Sequence, residues 1–213
     1  TPADAVLILG DLFEVWVGDD AMAGIFESAC VAVLREASRT KALAFLSGNR
    51  DFLVGDALLA ATGMQRLADP TVLTAFGQRW LLSHGDALCL ADTAYQQFRQ
   101  QVRSTSWQQA FLAQPLAARE QQARAMREAS AAHQAELGPA RWSDVDDGAT
   151  AQWLAAAGCS TLVHGHTHRP AVHALPGGGV RHVLGDWDFD HGTPRARALR
   201  LRADGVQVLA LAA

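Results

Sequence analysis

Cysteine is scarce: Cys30, Cys89 and Cys159 are the only three in 213 residues. Their odd number and unpaired spacing exclude a disulfide framework and a cysteine-based zinc site, and point to a reducing compartment. Lysine is scarcer, because Lys41 stands alone and arginine supplies every other cation. With a net charge of −4, no global basic field exists to recruit nucleic acid, so none is expected as a partner. Long apolar runs are missing too. None approaches the roughly 18 residues of a membrane span, and no charged-then-apolar leader precedes the first strand, so a soluble or surface-associated chain is expected. Internal repeats and low-complexity linkers are also lacking.

What is present is a chain long enough to bury a core without staples, with 49% hydrophobic and 19% charged residues. "AVLILGD", "ALAFLSGNRD" and "STLVHGH" share one plan of apolar run, glycine and polar residues. Continuous runs of this kind suit strands buried on both faces. Between the first two, "GIFESACVAVLREASR" has a helical repeat, so a βαβ unit and a parallel sheet follow. "TVLTAFGQRWLLSHGD" reads as two strands turning at Gly77. The chain is then predicted helical from Asp92 to about His133 with a break at Pro115, and again from about Val145 to Ala157. The remainder reads as strands punctuated by Gly-Gly-Gly and Asp-Gly turns, and "RARALRLR", with four arginines, as a basic strand face.

Four strand ends carry polar clusters: Gly10-Asp11, Gly48-Asn49, Ser83-His84-Gly85-Asp86, and the run His164, His166, His168. Ligands gather outside the carboxyl ends of strands in open α/β sheets, so the four clusters are expected to meet at one site. Taken singly, Asp11 is as readily a cap, Asn49 a turn residue and His84 a core histidine. Three histidines in five residues are harder to set aside. Gly165 and Pro170 end the strand there, so the imidazoles should fan out around a turn. Asp, Asn and His without cysteine suit manganese, iron or zinc. Such sets serve two-metal phosphoester chemistry, in which ions about 3.5–4 Å apart clamp phosphoryl oxygens and lower the pKa of water.

"GDLFEVW", "GNRDFL", "HGD" and "HGHTHRP", in this order, resemble the calcineurin-like metallophosphoesterases. The longer strings "LILGDLFEVWVGDD", "SGNRDFLVG", "SHGDALCLADTAYQQFR" and "VHGHTHRPAVH" resemble more narrowly the UDP-2,3-diacylglucosamine hydrolases of the lipid A pathway in Gram-negative bacteria, from about Ala5 to His173. The resemblance implies a single α/β domain over residues 1–213, a sandwich of two sheets flanked by helices, with a helical lid inserted at about 92–143. It implies two divalent ions, manganese by expectation. Asp11 would bridge them, with Asn49, His84 and His166 on one and His168 on the other, and His164 beside the site meeting the phosphate. Asn49, Arg50 and His84 would be catalytic, and Arg50 would grip the pyrophosphate.

The lid would hold the substrate, UDP-2,3-diacylglucosamine, which hydrolysis at the α-phosphorus would split into UMP and the 1-phosphate of the diacylated sugar. Asp92, Tyr95 and Ser130 are candidates for the sugar or phosphate. Trp16, Phe13 and Phe52 are candidates for the wall of an acyl groove. Tyr95, Phe98, Val102, Trp107, Phe111 and Leu112 fall at near-helical spacing and fit core packing or that groove. Two departures stand out. No histidine precedes Asp11, so the family's Asp-x-His strand is expected upstream of Thr1, and the family's lid lysine is absent, so either the substrate contacts there differ or Arg141 substitutes. The resemblance, with the amphiphilic substrate it implies, makes a cytoplasmic enzyme visiting the inner-membrane surface the expectation. The alternatives are a phosphoesterase for a soluble nucleotide or phosphoprotein, and a binding module without catalysis. His191 is a further candidate for the pocket.

Overall fold

The structure, a computed structural model, describes residues 3–137, 143–190 and 192–211, apart from the side chains at 133, 134, 136 and 137. Arg141 and His191 lie outside the described residues. The chain forms two compact units, Thr1–Leu67 with Ala91–Ser143, and Ala68–Leu90 with Asp144–Ala213.

The first unit opens with the anticipated βαβ. Strand β1 (Ala5–Leu9), helix α1 (Ile25–Ser38) and strand β2 (Ala42–Leu46) place β1 and β2 parallel, with Leu9 opposite Leu46. After helix α2 (Asp56–Thr62), the short strand β3 (Gln65–Arg66) adds to β2. The N-terminus of α2 has no cap of its own. Asp19 supplies one from a distance, accepting from Gly55 N at 2.8 Å and Leu58 N at 2.9 Å. Contrary to expectation, β1 is not buried on both faces. Ala5 is exposed and Val6 is 39% exposed, whereas Phe45 and Leu46 of β2 are fully buried.

The helical segment of this unit breaks twice. Helix α3 (Thr93–Val102) ends at Arg103, α4 (Thr105–Leu112) starts on Ser104, and α5 (Leu116–Leu137) follows Pro115. The first break was not predicted, because its signal is a single serine whose hydroxyl accepts from Trp107 N at 3.3 Å. Phe111 is buried with Phe13, Trp16, Val17, Phe45 and Leu58, and Trp107, Leu116 and Ala123 pack on the same cluster. The segment is thus part of the first unit's core. Arg119 of α5, 2% exposed, fastens it by donating to Val17 O and Gln114 O and pairing with both oxygens of Asp20.

The second unit holds a five-stranded sheet in the order β4-β5-β6-β8-β7. Strands β4 (Thr71–Ala75) and β5 (Gln78–Ser83) form the anticipated hairpin, while β5, β6 (Thr161–His164) and β8 (Val180–Val183) run parallel. Strand β7 (Val172–Ala174) pairs antiparallel with β8. Helix α6 (Asp147–Ala157) begins two residues later than expected, because Asp146 caps it, accepting from Ala149 N at 2.7 Å, and Val145 turns into the core. Strands β9 (Arg197–Arg202) and β10 (Gly205–Ala210) form a separate hairpin. The basic face expected of "RARALRLR" does not form. Alternation puts Arg197 on one face of β9 and Arg200 with Arg202 on the other.

Candidate functional site

In the first unit, two loops leave the carboxyl ends of the paired strands β1 and β2. Gly10 (φ 83) and Asp11 (φ 55) both adopt left-handed backbone, which a short polar side chain tolerates better than a branched one. The second loop presses on the first. A Cβ at Gly48 would lie 2.2 Å from Asp11 Oδ1 and 2.4 Å from Asp11 N, so only glycine fits. Arg50 N donates to Asp11 Oδ1 at 3.0 Å. Asp51, fully buried, ties both loops by accepting from Leu12 N and from Gly48 N, each at 2.7 Å. Asn49 lies half-buried in the same loop.

Arg50 reaches back toward the first loop. Its Nε lies 3.6 Å from Asp11 Oδ2 and its Nη1 pairs with Glu14, whose other oxygen accepts from Arg127 at 3.1 Å. Burial, then the repulsion of Arg50, lowers the Arg127 pKa below the usual guanidinium value. Sequence reasoning gave no role in the site to Asp51, Glu14 or Arg127. The string "GNRD" held a signal for Asp51, since an aspartate two residues after a candidate ligand is placed to bond backbone around it; nothing in the sequence marked Arg127.

In the second unit, β5 and β6 end side by side, with Ser83 opposite His164. The loop after β5 carries His84, 1% exposed, whose N donates to Asp69 Oδ1 at 3.3 Å. Burial raises the Asp69 pKa. Beyond β6 the chain fans out as expected, with left-handed backbone at His166 (φ 64) and His168 (φ 53). His84 and His166 meet edge to face with ring centroids 5.0 Å apart. His168 is exposed, its Nδ1 4.0 Å from Asp186, which Arg195 holds through two donors at 3.1 and 2.7 Å.

His164 departs from its expected role. It is fully buried, with Nδ1 2.8 Å from Gly165 O and Nε2 3.3 Å from Arg181 Nη1, so neither ring nitrogen remains for a phosphate. Burial pushes its pKa down to about 4. Trp16 departs as well. It is 3% exposed, packed on Phe13 at 4.5 Å, and its Nε1 donates to Asp19 at 3.1 Å, so it is a core side chain and not an acyl-groove wall. Phe13 shares that burial.

Among the other candidates, Asp92 caps α3, accepting from Tyr95 N at 2.9 Å; both are half-buried, and Ser130 is exposed on α5. The aromatic series is packed only in part. Val102 and Phe111 are buried, Trp107 stacks on Phe111 at 4.8 Å and lies 6.1 Å from Phe52, while Phe98 and Leu112 stay exposed.

No protein-family model matches the chain. Curated relatives do. A UDP-2,3-diacylglucosamine hydrolase of Xanthomonas axonopodis pv. citri is 45% identical over 219 residues, covering 99% of this chain and 87% of its own. One of Xanthomonas oryzae pv. oryzae is 46% identical, covering 97% and 85%. One of Chromobacterium violaceum is 48% identical, covering 88% and 78%. Among solved structures, an archaeal phosphodiesterase gives a TM-score of 0.47 at 10% identity, covering 98% of this chain and 83% of its own. Vps29 from Cryptosporidium parvum gives 0.42 at 16%, covering 97% and 95%. Likeness at those scores identifies no function. Identity of 45% or more with the three curated relatives, over nearly nine-tenths or more of this chain, is decisive: the chain belongs to the UDP-2,3-diacylglucosamine hydrolase family.

Proposed function

We propose that the protein hydrolyses the pyrophosphate of UDP-2,3-diacylglucosamine in lipid A synthesis, releasing UMP and 2,3-diacylglucosamine 1-phosphate. The observation that carries this reading is the identity with relatives named for that hydrolysis. A soluble nucleotide or phosphoprotein substrate, and a binding module without catalysis, have no comparable support.

The donor chemistry suits divalent ions. Asp11, His84 and His166 offer a carboxylate and two imidazoles without a thiolate, and Asn49 adds a neutral oxygen. Asp11, Asn49, His84 and His166 would hold one ion and Asp11 with His168 a second, manganese being the metal proposed. Bound there, such ions supply Lewis acidity toward phosphoryl oxygen and a lowered pKa for water. The side chains of the protein do the rest. Arg50 presents its guanidinium to the pyrophosphate, and Arg127, across Glu14, adds a second cation on the same side of the first unit. Asp51 and Gly48 keep the Asp11 and Asn49 loops in register. Asp186 steadies His168, and Asp92, Tyr95 and Ser130 remain the candidates for sugar and phosphate contacts.

The proposed setting is the cytoplasm, at the inner-membrane surface where a diacylated nucleotide sugar resides. No described helix is long and apolar enough to cross a membrane. The test is UMP release from UDP-2,3-diacylglucosamine by the purified chain, with manganese and with chelator. Release that needs manganese supports the reading. Absence of release under manganese, with hydrolysis of a soluble nucleotide instead, overturns it.

A further inference from the structure

The three imidazoles of "HGHTH" divide into two that project from the turn and one, His164, that is built into it. Its surroundings fix its protonation state by hydrogen-bond logic alone. A guanidinium can only donate, so the His164 Nε2 that faces Arg181 Nη1 at 3.3 Å accepts and carries no proton. The neutral ring's proton is therefore on Nδ1, which donates to Gly165 O at 2.8 Å. That carbonyl also accepts from Thr167 N at 2.8 Å, so the bonds of His164 and Thr167 pin both sides of the left-handed turn at His166.

The same ring lies against the loop that carries His84. A Cβ at Gly85 would fall 2.8 Å from His164 Nδ1, and Gly165 N donates to His84 O at 3.0 Å. Arg181, 3% exposed on β8 and opposite Leu162, is in turn anchored on Asp144 at 3.1 Å and Asp147 at 3.6 Å. The chain of contacts runs from the carboxylates through the guanidinium to a ring wedged between two loops.

From this we infer that Arg181 is a positioning residue for the hydrolytic site: it locks His164 as the Nδ1–H tautomer, and the locked ring sets the spacing and orientation of His84 and His166. The inference rests on the proposal that His84 and His166 are metal ligands. Groups that orient metal-binding imidazoles from behind typically affect metal affinity by ~10–100-fold.

The experiment combines imidazole ¹H–¹⁵N spectra of the metal-free protein with manganese titration of the wild type and R181M. The expected result is a single Nδ1–H pattern for His164 in the wild type. In R181M that pattern is lost, the His84 and His166 ring resonances shift, and manganese affinity falls by roughly 10-fold or more. An Nε2–H pattern for His164 in the wild type overturns the inference without requiring any variant to fold. So does an R181M protein with unchanged His84 and His166 resonances. A wild type that binds no manganese would instead remove the ligand assignment, and the metal-free ring spectra would still decide the role of Arg181.

Discussion

At the scale of single residues, the sharpest demand in the first unit is for no side chain at all. A methyl at Gly48 would collide with the carboxylate of Asp11 and with its backbone amide, which cannot swing aside as a side chain can. G48A should therefore displace the Asp11 loop, and a misplacement of about 1 Å at such a site lowers the rate roughly a hundredfold. A G48A protein with wild-type UMP release would contradict the proposed role of that loop. D51A probes the same contact from below. It strands two N–H groups that now bond a carboxylate, that of Gly48 buried and that of Leu12 half-buried, for a loss of about 3 kcal/mol in urea unfolding. The motif strings marked Asp11, Asn49, His84, His166 and His168 as candidate ligands, because unusual residue types recur at strand ends. They could not distinguish a projecting imidazole from a buried one: His164 and His166 look alike in "HGHTH", and only the neighbouring strand, which brings Arg181 beside β6, separates them.

The buried histidine also has a consequence for acid stability. Burial lowers the His164 pKa to about 4 from 6.5, so below pH 6.5 the unfolded chain takes up a proton that the folded chain refuses. Stability from this group is complete above pH 6.5 and is lost as pH falls toward about 4, by about 3 kcal/mol in all. Burial lowers the pKa of half-buried His182 too, and it adds to the loss with the same sign. Urea midpoints of the metal-free protein between pH 7 and 4.5 should fall more steeply for the wild type than for H164N. Equal slopes would show that the ring is not held neutral.

At the scale of elements, strands and helices were legible wherever period and punctuation agreed. The βαβ opening, the Gly77 hairpin and the run into "VHGH" are of this kind. Failures came where a local signal was weak or parity was misjudged. The break at Ser104 rests on one hydroxyl, and the arginines of "RARALRLR" change face because two residues, Ala198 and Leu199, separate the pairs. The inserted helices offered a choice between core and groove that spacing alone leaves open, since both need an apolar face. Phe111 answers for the core. Its removal in F111A should cost about 3–5 kcal/mol, measured by urea unfolding, because Trp107 loses its stacking partner and the Phe13–Trp16 cluster loses a wall. Leu112, 42% exposed beside it, should change stability by less than about 1 kcal/mol as L112A, and comparing the two isolates burial from helix propensity.

At the scale of the whole molecule, the proposed ions would act on stability as well as on chemistry. A ligand that binds only the folded chain stabilises it by RT ln(1 + [L]/Kd), about 2.7 kcal/mol at a hundred times Kd. For a chain of 213 residues, each kcal/mol raises Tm by about 2–4 °C, so saturating manganese should raise it by roughly 5–10 °C over the chelated protein. Each proposed ligand would donate directly to an ion, so its loss removes coordination that binding needs. Loss of a proposed ligand should therefore abolish the manganese shift. D11N and H84A are expected to melt at the same temperature with manganese and with chelator, whereas F111A, destabilised without touching a ligand, keeps the full increment. A wild type whose melting ignores manganese, or a D11N protein that retains the shift, would mean that the ions, if bound at all, are not held by this set of side chains.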